Sequence, residues 1–292
     1  MHDRFVVRVG ALVLSVFVFS ATSRAADWSP SGKTLTFWAD WAGNLEAYII
    51  NADGTGLKNL TNHPAEDANP VWSPDGRKIA FYSKRGGNGG EIYVMDADGS
   101  NPTNLTNNDV EDHNPTWSPD GAKLAFQTTR DGRYQIYSMN ADGSDQRNLS
   151  VNLHKDTNPD WSPDGKQIVY ISTRDGRRQI YIMNADGTDQ KELTDNRYLD
   201  MLNPKWSSDG GKITFHSLFV DFGVERGAIY TMNRDGSDAK RLTEDDLYNF
   251  NPFFSPDGKQ ISFNSADASE LINIHTMFVD GTNRVDLTQK TR

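Results

Sequence analysis

One eight-residue phrase, Asn158-Pro159-Asp160-Trp161-Ser162-Pro163-Asp164-Gly165, returns along this chain at nearly constant spacing. Close copies begin at Asn69, Asn114, Asn203 and Asn251, and a shortened one, Asp27-Trp28-Ser29-Pro30-Ser31-Gly32, opens the series. The aromatic residue stands at 28, 72, 117, 161, 206 and 254, in steps of 44, 45, 44, 45 and 48 residues. Periods near 40–50 residues belong to propellers and solenoids, whose repeats bury their apolar faces only against one another. The chain therefore divides into a leader and a single repeat domain of six units, about 27–61, 69–106, 114–150, 158–194, 203–243 and 251–288.

Within the unit that starts at Asn158, four short strands are expected, at 159–162, 167–172, 179–183 and 191–193. Ser162-Pro163-Asp164-Gly165 is a tight turn in which Pro presets φ, Asp caps locally and Gly supplies a positive φ. Asn184-Ala185-Asp186-Gly187 is a second turn, and it lacks the ligand order of a helix-loop-helix calcium site. Four antiparallel strands per repeat suit a propeller better than a β-helix. The fold expected is therefore all-β, a six-bladed β-propeller with four antiparallel strands per blade. Strands such as Ile79-Ala80-Phe81-Tyr82 are apolar almost throughout, as a sheet packed between two other sheets must be. The repeated Trp and the Ile-Tyr pairs at 92/93, 136/137, 180/181 and 229/230 are read as packing between blades. The sequons Asn59-Leu60-Thr61 and Asn104-Leu105-Thr106 recur as fourth-strand ends and need no sugar to explain them.

The first 25 residues stand outside the pattern. Arg4 and Arg8, an apolar run over 9–19 and the small-residue end Ser23-Arg24-Ala25 make a secretory signal peptide. The run is too short to span a bilayer. The protein is expected to be periplasmic or secreted after cleavage, with no stable membrane insertion. Cys is absent, so neither a disulfide nor a lipid-anchored cysteine is available. The formal net charge of -10 argues against nucleic acid and anionic membrane as partners.

The phrase Asn-Pro-x-Trp-Ser-Pro-Asp-Gly is followed in each unit by variants of Ile79-Ala80-Phe81, of Ile92-Tyr93-Val94-Met95 and of Leu105-Thr106. This succession resembles the WD-like propeller repeat of the TolB family and runs through nearly all of the chain after residue 25. The resemblance implies a periplasmic six-bladed propeller that binds partner proteins in the Tol-Pal envelope system. The α/β domain that precedes the propeller in that family has no counterpart here, so the propeller alone is expected. Related propellers also occur as domains of peptidases and in polysaccharide lyases.

Both tight turns of each unit are expected on one rim and the longer, more variable loops on the other, which makes the second rim the binding face. Just before the innermost strands stand Asp67 and Asn69, Asp112 and Asn114, Asp156 and Asn158, Asp200 and Asn203, and Asn249 and Asn251. They are expected to ring the channel mouth, either as a collar for a cation, a basic peptide segment or a sugar, or as caps for loop backbone. Arg85, Arg130, Arg174, Arg177 and Arg178 read as solvated loop residues. The fifth unit departs most: its loop over 217–227 carries Phe219 and Phe222 where sister loops are polar. Tyr198, Met201, Tyr248 and Phe250 stand in nearby connections, and Trp38 and Trp41 flank the first unit's loop. Trp41, Tyr198, Met201, Phe219, Phe222, Tyr248 and Phe250 are therefore expected to form a protein-binding patch.

None of the familiar hydrolase motifs occurs in the chain. The expectation is a non-catalytic envelope scaffold that binds a protein partner, with no metal or cofactor, while carbohydrate stays open as a ligand. The alternative is a polysaccharide lyase-like or metal-dependent enzyme built on His63, His113, His154 and His216. Convergence of the first three on one point would favour it. His275, which replaces the repeated Tyr, is read as a packed core residue.

Overall fold

The computed structural model describes residues 26–87, 89–195, 199–221, 224–244, 247–266 and 272–288. The leader at 1–25, Tyr198 and Phe222 lie outside these residues. Strands β1 to β24 follow one another without a helix among the described residues. They form four four-stranded sheets and one eight-stranded sheet. The larger sheet is two antiparallel meanders, from β17 (Asp200–Trp206) to β20 (Lys240–Arg241) and from β21 (Tyr248–Phe254) to β24 (Val285–Asp286), joined by a single parallel bridge between Gly227 and Tyr248.

The unit beginning at Asp156 shows how the repeat folds. Its strands are β13 (Asp156–Trp161), β14 (Gln167–Ser172), β15 (Gln179–Asn184) and β16 (Lys191–Glu192), paired in that order. The first turn is closed by Ser162, whose Oγ donates to Asp164 Oδ1 at 2.6 Å and accepts the Gln167 N–H at 2.9 Å. In the second turn Gly187 has φ 89°, and a Cβ there would meet the Leu149 carbonyl of the preceding unit at 2.4 Å. Glycine is required at that turn by conformation and by contact alike. The Leu-Thr ends are also structural: Asn104 Oδ1 accepts the Thr106 N–H, and Thr106 Oγ1 accepts the Ile92 N–H at 3.0 Å.

Neighbouring units pack face to face. Leu124, Phe126 and Met139 meet Ala80, Ile92 and Leu105 of the unit before, with Trp117 at the edge of the cluster. Phe37, Phe81, Phe126, Phe215 and Phe263 are fully or almost fully buried at equivalent points of the second strands, where Tyr170 replaces Phe in the fourth unit. Burying one such ring contributes roughly 2–3 kcal/mol. First and last units meet in the same way. Ala26, Trp28, Phe37 and Tyr48 share one core with Ile274 and Leu287, and Ser262 Oγ donates to the Ala26 carbonyl at 2.8 Å. The chain is an all-β propeller whose end units pack against each other.

Two expectations change here. The fifth unit's expanded loop is a continuation of its hairpin: β18 (Lys212–Asp221) and β19 (Val224–Asn233) stay paired through Leu218–Gly227 and Phe219–Arg226. Inner strands also begin earlier than 159 implies. Asp156 already pairs with Ser172, and a bulge at Asn158 lets pairing resume at Asp160.

Candidate functional site

That bulge builds the channel. Asn69, Asn114, Asn158, Asn203 and Asn251 all adopt the left-handed conformation, with φ between 48° and 56°. Among residues with a side chain, Asn tolerates this region best, because its short amide bonds locally. The bulges turn the amides toward one another across unit boundaries. Asn69 Nδ2 donates to Asn114 Oδ1 at 2.6 Å, Asn158 donates to Asn203, and Asn203 donates to Asn251. Between Asn114 and Asn158 stands Gln127, whose Oε1 accepts Asn114 Nδ2 at 3.1 Å and the Asn158 N–H at 2.9 Å. These asparagines, Pro70, Pro115, Pro159, Trp38, Lys205 and Phe253 line a cavity of about 240 Å³.

Charge enters through the residue that precedes the repeated aromatic. Lys205 Nζ lies 3.0 Å from Asp160 Oδ1 and 5.0 Å from the centre of the Phe253 ring. Asp160 Oδ2 accepts the Trp206 N–H at 2.9 Å, and Asp27 Oδ2 accepts the Trp72 N–H at 2.8 Å. Burial pushes the Asp27 carboxyl up to about 7. The Trp72 N–H and Lys205 oppose the shift, while Asp160 adds to it. Surface accessibility places Asp27 between buried and exposed, so the protein that encloses it does not wholly exclude water.

The expected collar resolves into two layers. Asn69, Asn114, Asn158, Asn203 and Asn251 lie together along the channel. Asp67, Asp112 and Asp156 do not: their side chains have no exposed surface, and each faces an arginine from its own unit's loop. Arg85 reaches Asp67 at 2.6 Å, Arg130 reaches Asp112 at 3.0 Å and Arg174 reaches Asp156 at 3.7 Å. The two-residue offset along the strand, followed by the bulge, separates the Asp from its Asn neighbour. A buried carboxylate then needs a cation, which the loop supplies. The same arginines lie over the aromatic pairs Phe81/Tyr93, Phe126/Tyr137 and Tyr170/Tyr181, so they are packed rather than solvated. Asp200 is partly exposed and lies 4.0 Å from Arg178, whereas Asn249 is buried and donates to the Leu247 carbonyl.

The expected apolar patch is also divided. Met201 and Phe250 are buried and unavailable to a partner. Met201 joins the core of Val169, Ile171, Trp206 and Phe215, and Phe250 packs on Tyr248 and His216. Phe219 and Tyr248 are half-buried, with Arg241 lying over the Phe219 ring at 5.0 Å. Trp41 is 39% exposed and rests edge-on against Phe37 and Tyr48. It covers the aromatic pair that arginine covers in units two to four.

Among the described residues no three His, Cys, Asp or Glu side chains converge as metal ligands. His63 Nδ1 accepts the Ala65 N–H at 3.1 Å. His113 bonds Glu111 at 2.8 Å, stacks on Tyr82 with ring centres 4.2 Å apart, and burial lowers its pKa. His154 lies exposed in its loop, and His216 is buried with its pKa pushed down to about 3 by desolvation. The convergence that the enzyme alternative required is not formed by these side chains. Sequence reading missed Gln127, which bridges Asn114 and Asn158 from a second strand. Its signal was a polar residue where Tyr82 and Ile171 stand in sister strands.

Antiparallel meanders packed in series around an amide-lined channel define the chain as a β-propeller. The TolB beta propeller domain matches residues 12–90, 88–174 and 156–292, and the chain belongs to that family. It is similar to the structure of putative TolB from Agrobacterium tumefaciens, with TM-score 0.67 and 27% identity, over 80% of this chain and 84% of that one. TolB from Acinetobacter baumannii gives TM-score 0.71 at 22% identity, over 90% of this chain and 62% of that one. Among curated proteins, dipeptidyl-peptidase 5 of Porphyromonas gingivalis is 32% identical over 79 residues, 24% of this chain. The matches span only 8%, 12% and 16% of the first three curated relatives' own lengths. Among the described residues no helix is long and apolar enough to cross a membrane.

Proposed function

We propose that this propeller is an exported, non-catalytic scaffold of the cell envelope, periplasmic or secreted, that binds a protein partner at the channel mouth. The observation that supports it is the amide belt. Five asparagines held in one conformation present donors and acceptors around a 240 Å³ opening, which Lys205 also lines with its ammonium bonded to Asp160. An entering polar side chain or backbone can replace amide–amide bonds with its own, so few groups lose a partner. The belt is fixed by backbone bulges, which lowers the ordering cost of binding. Trp41, Phe219 and Tyr248 are the accessible apolar residues of the expected patch.

The test is co-purification from an exported fraction with the wild-type chain and with Asn158→Gly/Asn203→Gly, which removes the two amides and keeps the left-handed backbone free of strain. The proposal expects one protein retained by the wild type and lost by the variant, with melting temperatures that stay within a few degrees. Identical sets of retained proteins would contradict it. The similarity to a peptidase motivates a second reading, in which the propeller assists peptide hydrolysis. Turnover of chromogenic dipeptide substrates by the purified chain would establish that reading and displace the first.

A further inference from the structure

The loop between the third and fourth units carries an anomaly that the channel does not use. Val151 and Leu153 are 73% and 83% exposed, whereas among the described residues no other exposed large hydrophobic residue exceeds 44%. Val151 also has φ 32°. A β-branched side chain in the left-handed region is strained, and such strain persists where the surroundings over-determine it. At the matching point of earlier units stand Asn62 and Asn107, at φ 40° and 44°. The fourth unit's approach thus places a strained aliphatic residue in water where a relaxed polar one serves elsewhere.

The loop around it is rigidly tied. The Val151 N–H donates to Asn148 Oδ1 at 3.0 Å, and the Asn152 N–H donates to Gln135 Oε1 at 3.0 Å. Gln135 Nε2 donates to the His154 carbonyl at 2.6 Å, and Arg133 Nη1 donates to the Leu153 carbonyl at 2.9 Å. The two aliphatic side chains are therefore presented on a fixed backbone. Their surroundings are cationic in a chain of net charge -10: Arg133, Lys155 and Arg178 are all exposed here. Lys155 lies over the Tyr134 ring, and partial desolvation there, with the nearby Arg178, disfavours its ammonium. Of the acids nearby, Asp156 faces Arg174, Asp200 lies 4.0 Å from Arg178 and Glu111 bonds His113, while Asp131 accepts from the neutral Tyr137 and Asn148.

We propose that Val151 and Leu153 form a second docking point, for an acidic polypeptide segment of a partner that also carries an apolar side chain. The aliphatic pair packs against that side chain, and Arg133 and Lys155 meet its carboxylates, with Arg178 beside them shared with Asp200. Charge complementarity selects this occupant: a basic partner is repelled here, and an uncharged one leaves Arg133 and Lys155 without counter-ions. The proposal shares with the reading above only the premise that the propeller binds protein, and none of these residues lines the channel.

The test is to pan a random peptide phage library on the folded full chain and to measure the selected peptides by fluorescence anisotropy. Enriched sequences should combine Asp or Glu with Leu, Phe or Trp, bind Val151→Asn/Leu153→Ser at least tenfold more weakly, and weaken in 0.5 M salt. Val151→Asn alone should weaken binding while raising Tm by about 2–4 °C, because it restores the residue that sister loops carry. A variant that had merely lost its fold would move both readouts downward. Lys205→Gln should leave the selected peptides' affinity unchanged. Selection of basic or neutral peptides, no selection, or equal affinity for the double variant would overturn the proposal. Peptides lost on Lys205→Gln but kept by the double variant would overturn it while leaving the channel reading in place. Concentration-dependent self-association abolished by the double variant would assign the surface to a second copy and overturn it as well.

Discussion

His216→Gln should make the protein resistant to mild acid. His216 is 4% exposed, and its Nδ1 accepts the Asn251 N–H at 3.4 Å, so the imidazole is held neutral. Desolvation, with the charge of Arg178 adding to it, pushes its pKa from 6.5 down to about 3. The unfolded chain takes up a proton below pH 6.5 and the folded chain does not, so stability is intact above that value and falls as pH drops toward 3. At pH 5 the loss is about 2 kcal/mol, from 1.5 units at about 1.4 kcal/mol each. Glutamine is accommodated because Gln127 stands at the equivalent point of the third unit and accepts the Asn158 N–H at 2.9 Å. Guanidinium denaturation at pH 8 and pH 5 provides the assay. The two proteins should agree within about 1 kcal/mol at pH 8, and the variant should be more stable by about 2 kcal/mol at pH 5. Parallel loss of stability in both would refute the buried neutral histidine.

Arg130→Met strands Asp112, which has no exposed surface, and should cost about 3–5 kcal/mol in a denaturant melt, with partial recovery when Asp112→Asn is added. An unchanged melt would show that the ion pair carries no structural role. Gly187→Ala forces a Cβ to within 2.4 Å of the Leu149 carbonyl at φ 89° and should destabilise by about 2 kcal/mol or more, whereas Gly132→Ala, with open space around it at φ 80°, should cost about half as much. Equal costs would remove the inter-unit contact from the account. Asp27→Asn keeps an acceptor for the Trp72 N–H and removes a carboxyl raised to about 7. A raised carboxyl contributes stability below its unfolded value of 3.8 that is lost as pH rises through 7, so the variant should gain about 1–2 kcal/mol over wild type at pH 8 and nothing at pH 3. Chemical denaturation across that range checks the slope, and a gain that is independent of pH would refute it.

The repeat was legible because its signals are local. Pro163, Asp164 and Gly165 specify a turn wherever they stand, and a continuous apolar strand such as Ile168-Val169-Tyr170 specifies burial on both faces. The positions of Asn69, Asn114, Asn158, Asn203 and Asn251 around one channel were also readable, since one offset repeated in register must recur at one place in every unit. What each residue faces was decided elsewhere. Asp156 and Asn158 look alike in sequence, yet one bulge sends the carboxylate to Arg174 and the amide to Asn203. Met201 and Phe250 read as surface because they sit in connections, and they are buried because extended strands carried those connections into the core. Val151 passed as one more loop residue, because exposure and a left-handed backbone belong to the folded loop and not to the residue type. Sequence by itself determined the unit, since backbone propensity and apolar periodicity act over a few residues. Only the tertiary structure decided the surface and the channel, since these depend on contacts between side chains some 45 residues apart.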